Sequence, residues 1–307
     1  MAKRDYILDI ARIVAILFIM LYHFYSMQYR IDAGEYPYVG NSYFKYGFLG
    51  VQFFFILAGY LLIPSLERSQ TIGDFWKKKL VRLGMPLVIC TLITYIFCIL
   101  VDVDNFFPAS HSFKNVLVSC VFIRPDLISS SLFYVNGSTW FLWPMIQFFI
   151  LSSILWFIFP KHFNVLIASI SLALPLIVYC IRRIVGNYFL TNKFGIDWSE
   201  ETMLCIKDWM WTKEYTKYAH YFLFGIGCYW FKKDRKLWAV LLCIACACIN
   251  LLMEESNFKI VYIIMCLFFL HVLCGDKINS SISEYTPIRY FAKLGESTYA
   301  VFLLHET

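Results

Sequence analysis

Charge is scarce in this chain. Asp, Glu, Lys and Arg make up 16% of its 307 residues, where a soluble globular protein carries about a quarter. That shortage excludes an ordinary water-soluble domain, which needs more polar surface to face water. Proline and glycine are also few, at 9 and 14 residues, so collagen-like, low-complexity and linker-rich architectures are excluded as well. Metal ligands at recognisable spacing are missing: His111, His162, His220 and His271 have no partners placed for it. The 11 cysteines are scattered. Cys243 and Cys246 form a CxxC with Cys248 just beyond, but all three fall inside the apolar run 237–253 and read as small packing residues. No cleavable leader is expected. The first apolar run is long enough to span a bilayer, lacks an A-x-A site and carries the Arg12–His23 pair.

What is abundant is apolar and aromatic: 60% hydrophobic and 20% Phe, Trp and Tyr. Apolar runs of about 17 to 22 residues recur along the whole length, which is the signature of membrane-spanning helices. The expected fold is all-α, a polytopic transmembrane helical bundle of about nine to ten spans forming a single membrane domain over residues 1–307. Nine runs fall at about 6–26, 46–63, 83–101, 140–159, 163–181, 218–231, 237–253, 258–275 and from 296 onward. The sixth is expected to extend back toward Lys213. The apolar stretch Phe113–Ile123 is too short to cross and is expected to be re-entrant or interfacial. The ninth run reaches Thr307 after only about a dozen residues, so the chain is expected to lack the end of its last helix.

The net charge of +6 is no nucleic-acid signal, because the basic residues sit in short loops between apolar runs. With the N-terminus in the cytoplasm, 15 of the 27 Lys and Arg residues fall in short cytoplasmic segments, among them Lys77, Lys78, Lys79, Arg82 and the run Lys232-Lys-Asp-Arg-Lys236. Most of the others lie in the two long loops 102–139 and 183–217, which weigh less in the positive-inside rule.

Against this background Arg12 and His23 stand out. They lie 11 residues apart in the first apolar run, three helical turns plus about 20°, so they share a face about 16 Å apart along the axis. Ionisable residues inside a span are costly and mark functional sites by default. In the expected topology Arg12 lies in the cytoplasmic half and His23 near the outer end, a site reachable from both sides. Asp9 lies three residues before Arg12 and can pair with it.

The run Leu8-Asp-Ile-Ala-Arg-Ile-Val-Ala-Ile-Leu-Phe-Ile-Met-Leu-Tyr-His23 resembles the opening of acyltransferase family 3, membrane-bound enzymes that O-acylate surface polysaccharides and related glycans. Gly50-Val-Gln-Phe-Phe-Phe-Ile-Leu-Ala-Gly-Tyr-Leu-Leu-Ile63 resembles that family's second helix, and Phe75-Trp-Lys-Lys-Lys-Leu-Val-Arg82-Leu-Gly-Met-Pro86 the basic stretch leading into its third. Trp140-Phe-Leu-Trp, Tyr221-Phe-Leu-Phe-Gly225 and Leu294-Gly-Glu-Ser-Thr-Tyr299-Ala-Val-Phe-Leu-Leu-His305 match later landmarks in order. Any one motif is weak, and six in sequence are specific. The chain departs from the family at the fourth span, where many members carry a glutamate: the run from Trp140 to Gln147 has no acid. Ala58 replaces a serine common in the second helix.

The resemblance implies transfer of an acyl group from cytosolic acyl-CoA, most often acetyl-CoA, to a hydroxyl of a cell-surface or lipid-linked glycan in a bacterial cytoplasmic membrane. It implies no bound cofactor and no nucleic-acid partner. It makes His23 and Arg12 the central residues. A sugar hydroxyl is a poor nucleophile, and His23 acts either as its general base or as a transient acyl carrier. Arg12 pairs with Asp9, with a CoA phosphate, or with both. Lys78, with its neighbours, and Arg82, in Arg-x-x-x-Pro86, are candidates for holding the anionic donor, with topology and lipid headgroups as the plainer roles for the lysines. Trp140 and Tyr299 are either site residues or interface-belt aromatics. His305 is a second intramembrane histidine, and Glu296 and Ser297 lie near the start of its run. Gly50 and Gly59 are expected at close helix contacts, and Pro86 at the start or kink of the third helix. The alternatives are a glycan or lipid precursor transporter, against which the lack of an internal repeat weighs, and a non-catalytic membrane subunit.

Overall fold

The protein is described by a computed structural model over residues 4–27, 44–101, 112–122, 128, 132, 134–186, 212–253, 260–282 and 285–305. His111 and most of the two long loops lie outside the described residues, as does the Glu296 side chain. Among the described residues every regular element is helical. The chain forms α1 (Tyr6–Tyr22), continued by a π turn His23–Met27, α2 (Leu49–Glu67), α3 (Ile72–Lys79), a second π turn Leu80–Gly84 and α4 (Met85–Val101). There follow α5 (Phe113–Ser119), a 3-10 turn Gly137–Phe141, α6 (Leu142–Ile158), α7 (Phe163–Gly186), α8 (Thr212–Asp234), α9 (Leu237–Met253), α10 (Val261–Ile282), α11 (Thr286–Lys293) and α12 (Thr298–Leu304).

Six of these helical stretches are long and apolar enough to cross a membrane: Tyr6–Tyr25, Leu49–Glu67, Ile72–Leu100, Thr139–Ile158, Pro160–Ile177 and Val261–Ile282. The sixth run does extend back past Lys213, as α8, and the seventh is the 17-residue α9. α8 carries Lys213, Glu214 and Lys217 in its first turns, which dilutes its apolar character. The third helix starts earlier than its apolar run does, because the basic stretch from Ile72 is itself helical, capped by Thr71 whose side chain accepts from the Asp74 N–H at 3.1 Å. The π turn at Leu80–Gly84 falls just before Pro86. Pro86 has no N–H to donate and its ring crowds the carbonyl four residues back, so the helix widens where one of its bonds is lost.

Apolar side chains cover the outside as well as the core. On α4, Ile89, Ile93, Ile96, Phe97 and Leu100 are exposed, Leu100 at 77%. Such a surface is stable in hydrocarbon and unstable in water.

Packing divides the residues into two compact units, 1–54 with 69–146 and 270–307, and 55–68 with 147–269. In the first, Leu8, Ile16 and Ile19 of α1 are buried together with Leu87, Phe302 and Leu303. Gly50 allows α2 to approach α1 closely: a Cβ there would meet the Ala15 carbonyl oxygen at 2.6 Å. In the second unit Phe148 stacks on Phe222 with centroids 4.1 Å apart, and Phe55 on Tyr218 at 4.4 Å. Here α2 and α8 cross backbone to backbone. A Cβ on Gly59 would lie 1.9 Å from the Phe222 carbonyl oxygen, and one on Gly225 1.9 Å from that of Ile56.

That reciprocal contact yields a sharp expectation. Gly59→Ala must push the two helices apart and lowers stability by about 1–3 kcal/mol or more. Gly73→Ala meets nothing nearer than the Thr71 hydroxyl at 3.8 Å and is neutral or slightly stabilising. Thermal unfolding of the purified variants in detergent separates the two.

Candidate active site

The site is built from the first unit. Helix α1 begins where the Asp5 side chain accepts from the Leu8 N–H at 3.2 Å, capping the first turn. One turn on, Asp9 is only 6% exposed. Its two oxygens are gripped by two arginines: Arg4 Nε donates to Oδ2 at 2.8 Å, and an Arg12 guanidinium N–H donates to Oδ1. Arg4 also donates to the Ala292 carbonyl at 3.2 Å. Gly295 lies directly against Asp9, where a Cβ would fall 2.7 Å from the Asp9 carbonyl oxygen. A buried carboxylate is tolerable here because two cations surround it. The i,i+3 pairing of Asp9 with Arg12 is thus present.

Three turns beyond Arg12, α1 opens into the π turn that starts at His23. Arg82 lies in the other π turn, exposed. Both candidates therefore occupy the kind of widened turn that recurs at functional sites. Arg82 is close enough to act electrostatically on Arg12. Two like charges in reach of one another favour an anion beside them.

His23 meets His305. The His23 Nδ1 and His305 Nε2 atoms are 2.8 Å apart, and the rings stack with centroids 4.8 Å apart at 24°. His305 is itself buried, with Nδ1 2.5 Å from the Phe302 carbonyl oxygen. The hydrogen bonds assign the protons. A carbonyl can only accept, so His305 Nδ1 carries its hydrogen and, in the neutral ring, Nε2 carries the lone pair. His23 Nδ1–H then donates to that lone pair, and the basic nitrogen of His23 is Nε2.

Helix α12, at the far end of the sequence, ties these parts together. The Tyr299 hydroxyl donates to the Leu83 carbonyl at 3.1 Å, gripping the π turn of Arg82. The Asn136 side-chain amide donates to the Leu303 carbonyl, holding the 3-10 turn that carries Trp140. Phe302 packs edge-on against Phe141 of that turn at 4.5 Å and lies 5.2 Å from the His305 ring. The structure therefore gathers Asp9, Arg12, His23, Arg82, Tyr299, His305 and the Trp140 turn into one unit. Lys78 belongs to the same unit but is half exposed and paired with Asp74 at 2.7 Å.

Sequence reasoning passed over Arg4, Asn136, Gly295 and Asn279. Asn279 pins the start of α1, accepting from the Tyr6 N–H at 2.8 Å and donating to the Arg4 carbonyl at 2.9 Å. His271, solitary in sequence, lies 3.1 Å from Asp5 Oδ2. The alternation Arg4, Asp9, Arg12 was a readable signal for Arg4. The other partners are more than 160 residues from what they touch, and no local pattern announces them.

Comparison with known proteins adds an independent line. A family model described as "Acyltransferase domain" matches residues 5–307. An "O-acetyl transferase" of Shigella phage Sf6 is 32% identical over 140 residues. That match covers 43% of this chain and only 40% of the relative's length. No solved structure matches the chain.

Proposed function

Because the chain belongs to this acyltransferase family, matched over nearly its whole length, we propose that it is a membrane-bound O-acyltransferase of a bacterial cytoplasmic membrane. It transfers an acyl group, acetyl in the first instance, from cytosolic acyl-CoA to a hydroxyl of a cell-surface or lipid-linked glycan. The O-acetyl transferase of the phage, as a relative, supports acetyl as the group and oxygen as the acceptor atom. The distribution of Lys and Arg supports a multi-pass domain of nine to ten spans with a cytoplasmic N-terminus. The observation that carries the reading is the chain of hydrogen bonds from the Phe302 carbonyl through His305 to His23, which continues the helix that holds the Asp9–Arg12 pair.

In this mechanism His23 Nε2 removes the proton of the acceptor hydroxyl as its oxygen attacks the thioester carbonyl. The imidazolium that forms is steadied at Nδ1–H by His305, which is held in turn by a backbone carbonyl. Collapse of the tetrahedral intermediate expels the CoA thiolate, which takes the proton back from His23 Nε2. Arg12 and Arg82 hold phosphate oxygens of the donor, whose charge relieves their mutual repulsion. With the acid of many relatives absent at the fourth span, the histidine pair supplies the proton transfer.

Membrane vesicles given labelled acetyl-CoA and a glycan extract test the proposal. Labelled, alkali-labile glycan is the expected product, and none in vesicles containing folded protein would overturn it. The role of His305 is checked in the same assay. His305→Leu lowers kcat about 10- to 100-fold, as part of a general-base contribution of about 10²–10⁴, and leaves the KM for acetyl-CoA unchanged. His305→Gln, whose amide oxygen can still accept from His23 Nδ1–H, recovers part of the rate. A purely structural role would predict equal losses.

A further inference from the structure

The second unit holds a cavity of about 690 Å³ where the start of α7, the end of α8 and the start of α9 come together. This volume is in the range of roughly 300–1,000 Å³ typical of small-molecule sites. Its lining is divided by chemistry. Leu241, Leu242 and neighbouring small residues form an apolar wall, and Trp238 and Trp230 also line it, with ring centroids 6.3 Å apart. Lys161 and Lys236 line it too. Lys236 is paired with Asp234 at 3.2 Å, and among the described residues Lys161 has no carboxylate partner, which leaves it as the site's uncompensated cation.

Two of the lining residues each carry a side-chain polar atom that is buried without a hydrogen-bond partner among the described residues: Trp230 its indole N–H, a donor, and Asn164 its side-chain oxygen, an acceptor. Buried polar groups are paired in the great majority of cases, so two orphans of opposite sense on residues that line one cavity point to complementary ligand atoms. A ligand that satisfies them carries an anionic oxygen for Lys161 and the indole N–H, a hydroxyl for Asn164, and an apolar body for the leucine wall. Its setting is the end of membrane helices amid Lys161, Lys232, Lys233, Arg235 and Lys236, the level at which phosphate headgroups lie and basic clusters attract anionic lipid. Trp side chains are enriched at that same level.

We propose that this cavity is a binding site for an anionic phospholipid with a hydroxylated headgroup, of the phosphatidylglycerol type. Its phosphodiester accepts from Lys161 and Trp230, a headgroup hydroxyl donates to Asn164, and the start of an acyl chain lies along Leu241 and Leu242. The site is made entirely by the second unit and owes nothing to the histidine pair.

Native mass spectrometry of the full chain, loaded with phosphatidylglycerol or with phosphatidylmethanol, tests this. The second lipid is a phosphodiester with no headgroup hydroxyl. One phosphatidylglycerol retained per chain is expected, at least fivefold more tightly than phosphatidylmethanol. Lys161→Gln and Trp230→Phe each weaken retention of both lipids about fivefold, and Asn164→Leu abolishes the preference between them. Lys161 is exposed and its substitution leaves the fold intact, so that variant decides the matter even where Trp230→Phe fails to fold. Equal retention by wild type and Lys161→Gln would overturn the proposal. So would displacement of phosphatidylglycerol by a prenyl-linked phosphosugar at lower concentration, which would make the cavity an acceptor site.

Discussion

Acyl transfer by His23→Ala is expected to fall about 10²- to 10⁴-fold, the usual contribution of a positioned general base, with the protein still folded and inserted. The size of the effect follows from geometry. His305 Nδ1 is committed to the Phe302 carbonyl and its Nε2 to His23, so the pair has one basic nitrogen to offer, and it belongs to His23. Alanine removes that nitrogen and leaves His305 buried behind it, 8% exposed, too deep to substitute. His23→Gln keeps a polar contact to His305 but cannot take up a proton, and is expected to be as inactive as alanine. The measurement is transfer of label from acetyl-CoA to glycan in vesicles matched for protein content. Unchanged product in His23→Ala would remove His23 from the chemistry altogether.

The largest stability effect is expected at Asp9. Replacing it with leucine strands Arg12, whose side chain is 16% exposed, and strips Arg4 of its carboxylate. Removing one partner of a buried ion pair costs about 3–5 kcal/mol, because the remaining charge keeps its desolvation penalty without compensation. Asp9→Leu should therefore unfold many degrees below wild type in detergent. Asp9→Leu combined with Arg12→Met, which removes both charges, should regain much of the loss. An Asp9→Leu protein as stable as wild type would show that the pair is solvated in practice. In the proposed mechanism the single variant also raises the KM for acetyl-CoA, since Arg12 then lacks the carboxylate that orients it.

Much of the candidate site was legible in the sequence for one physical reason: lipid makes charge expensive. Arg12 and His23 announce themselves as polar residues on an otherwise apolar run, and Asp9 lies at the helical spacing that lets it pair. Gly50 and Gly59 were readable as close contacts because small side chains in membrane helices are seldom there for anything else. His305 was readable only as a polar oddity in a short final run, with nothing to say what it meets. Its partner is 282 residues away, and hydrogen bonds across such distances leave no periodic trace. The π turns at His23 and Leu80 were hidden for a different reason: an apolar helix pattern of period 3.6 looks the same with one widened turn in it.

By itself the sequence determined that the protein is helical, built of recurring apolar runs and marked by a costly Arg–His helix, because hydrophobic run length and intramembrane charge are local quantities. Only the tertiary structure decided that α12 closes the candidate site. It brings His305 onto His23, Tyr299 onto the turn of Arg82, and Leu303 onto the turn of Trp140. Those contacts set which histidine nitrogen is basic, and a proton's position depends on where donors and acceptors meet in space.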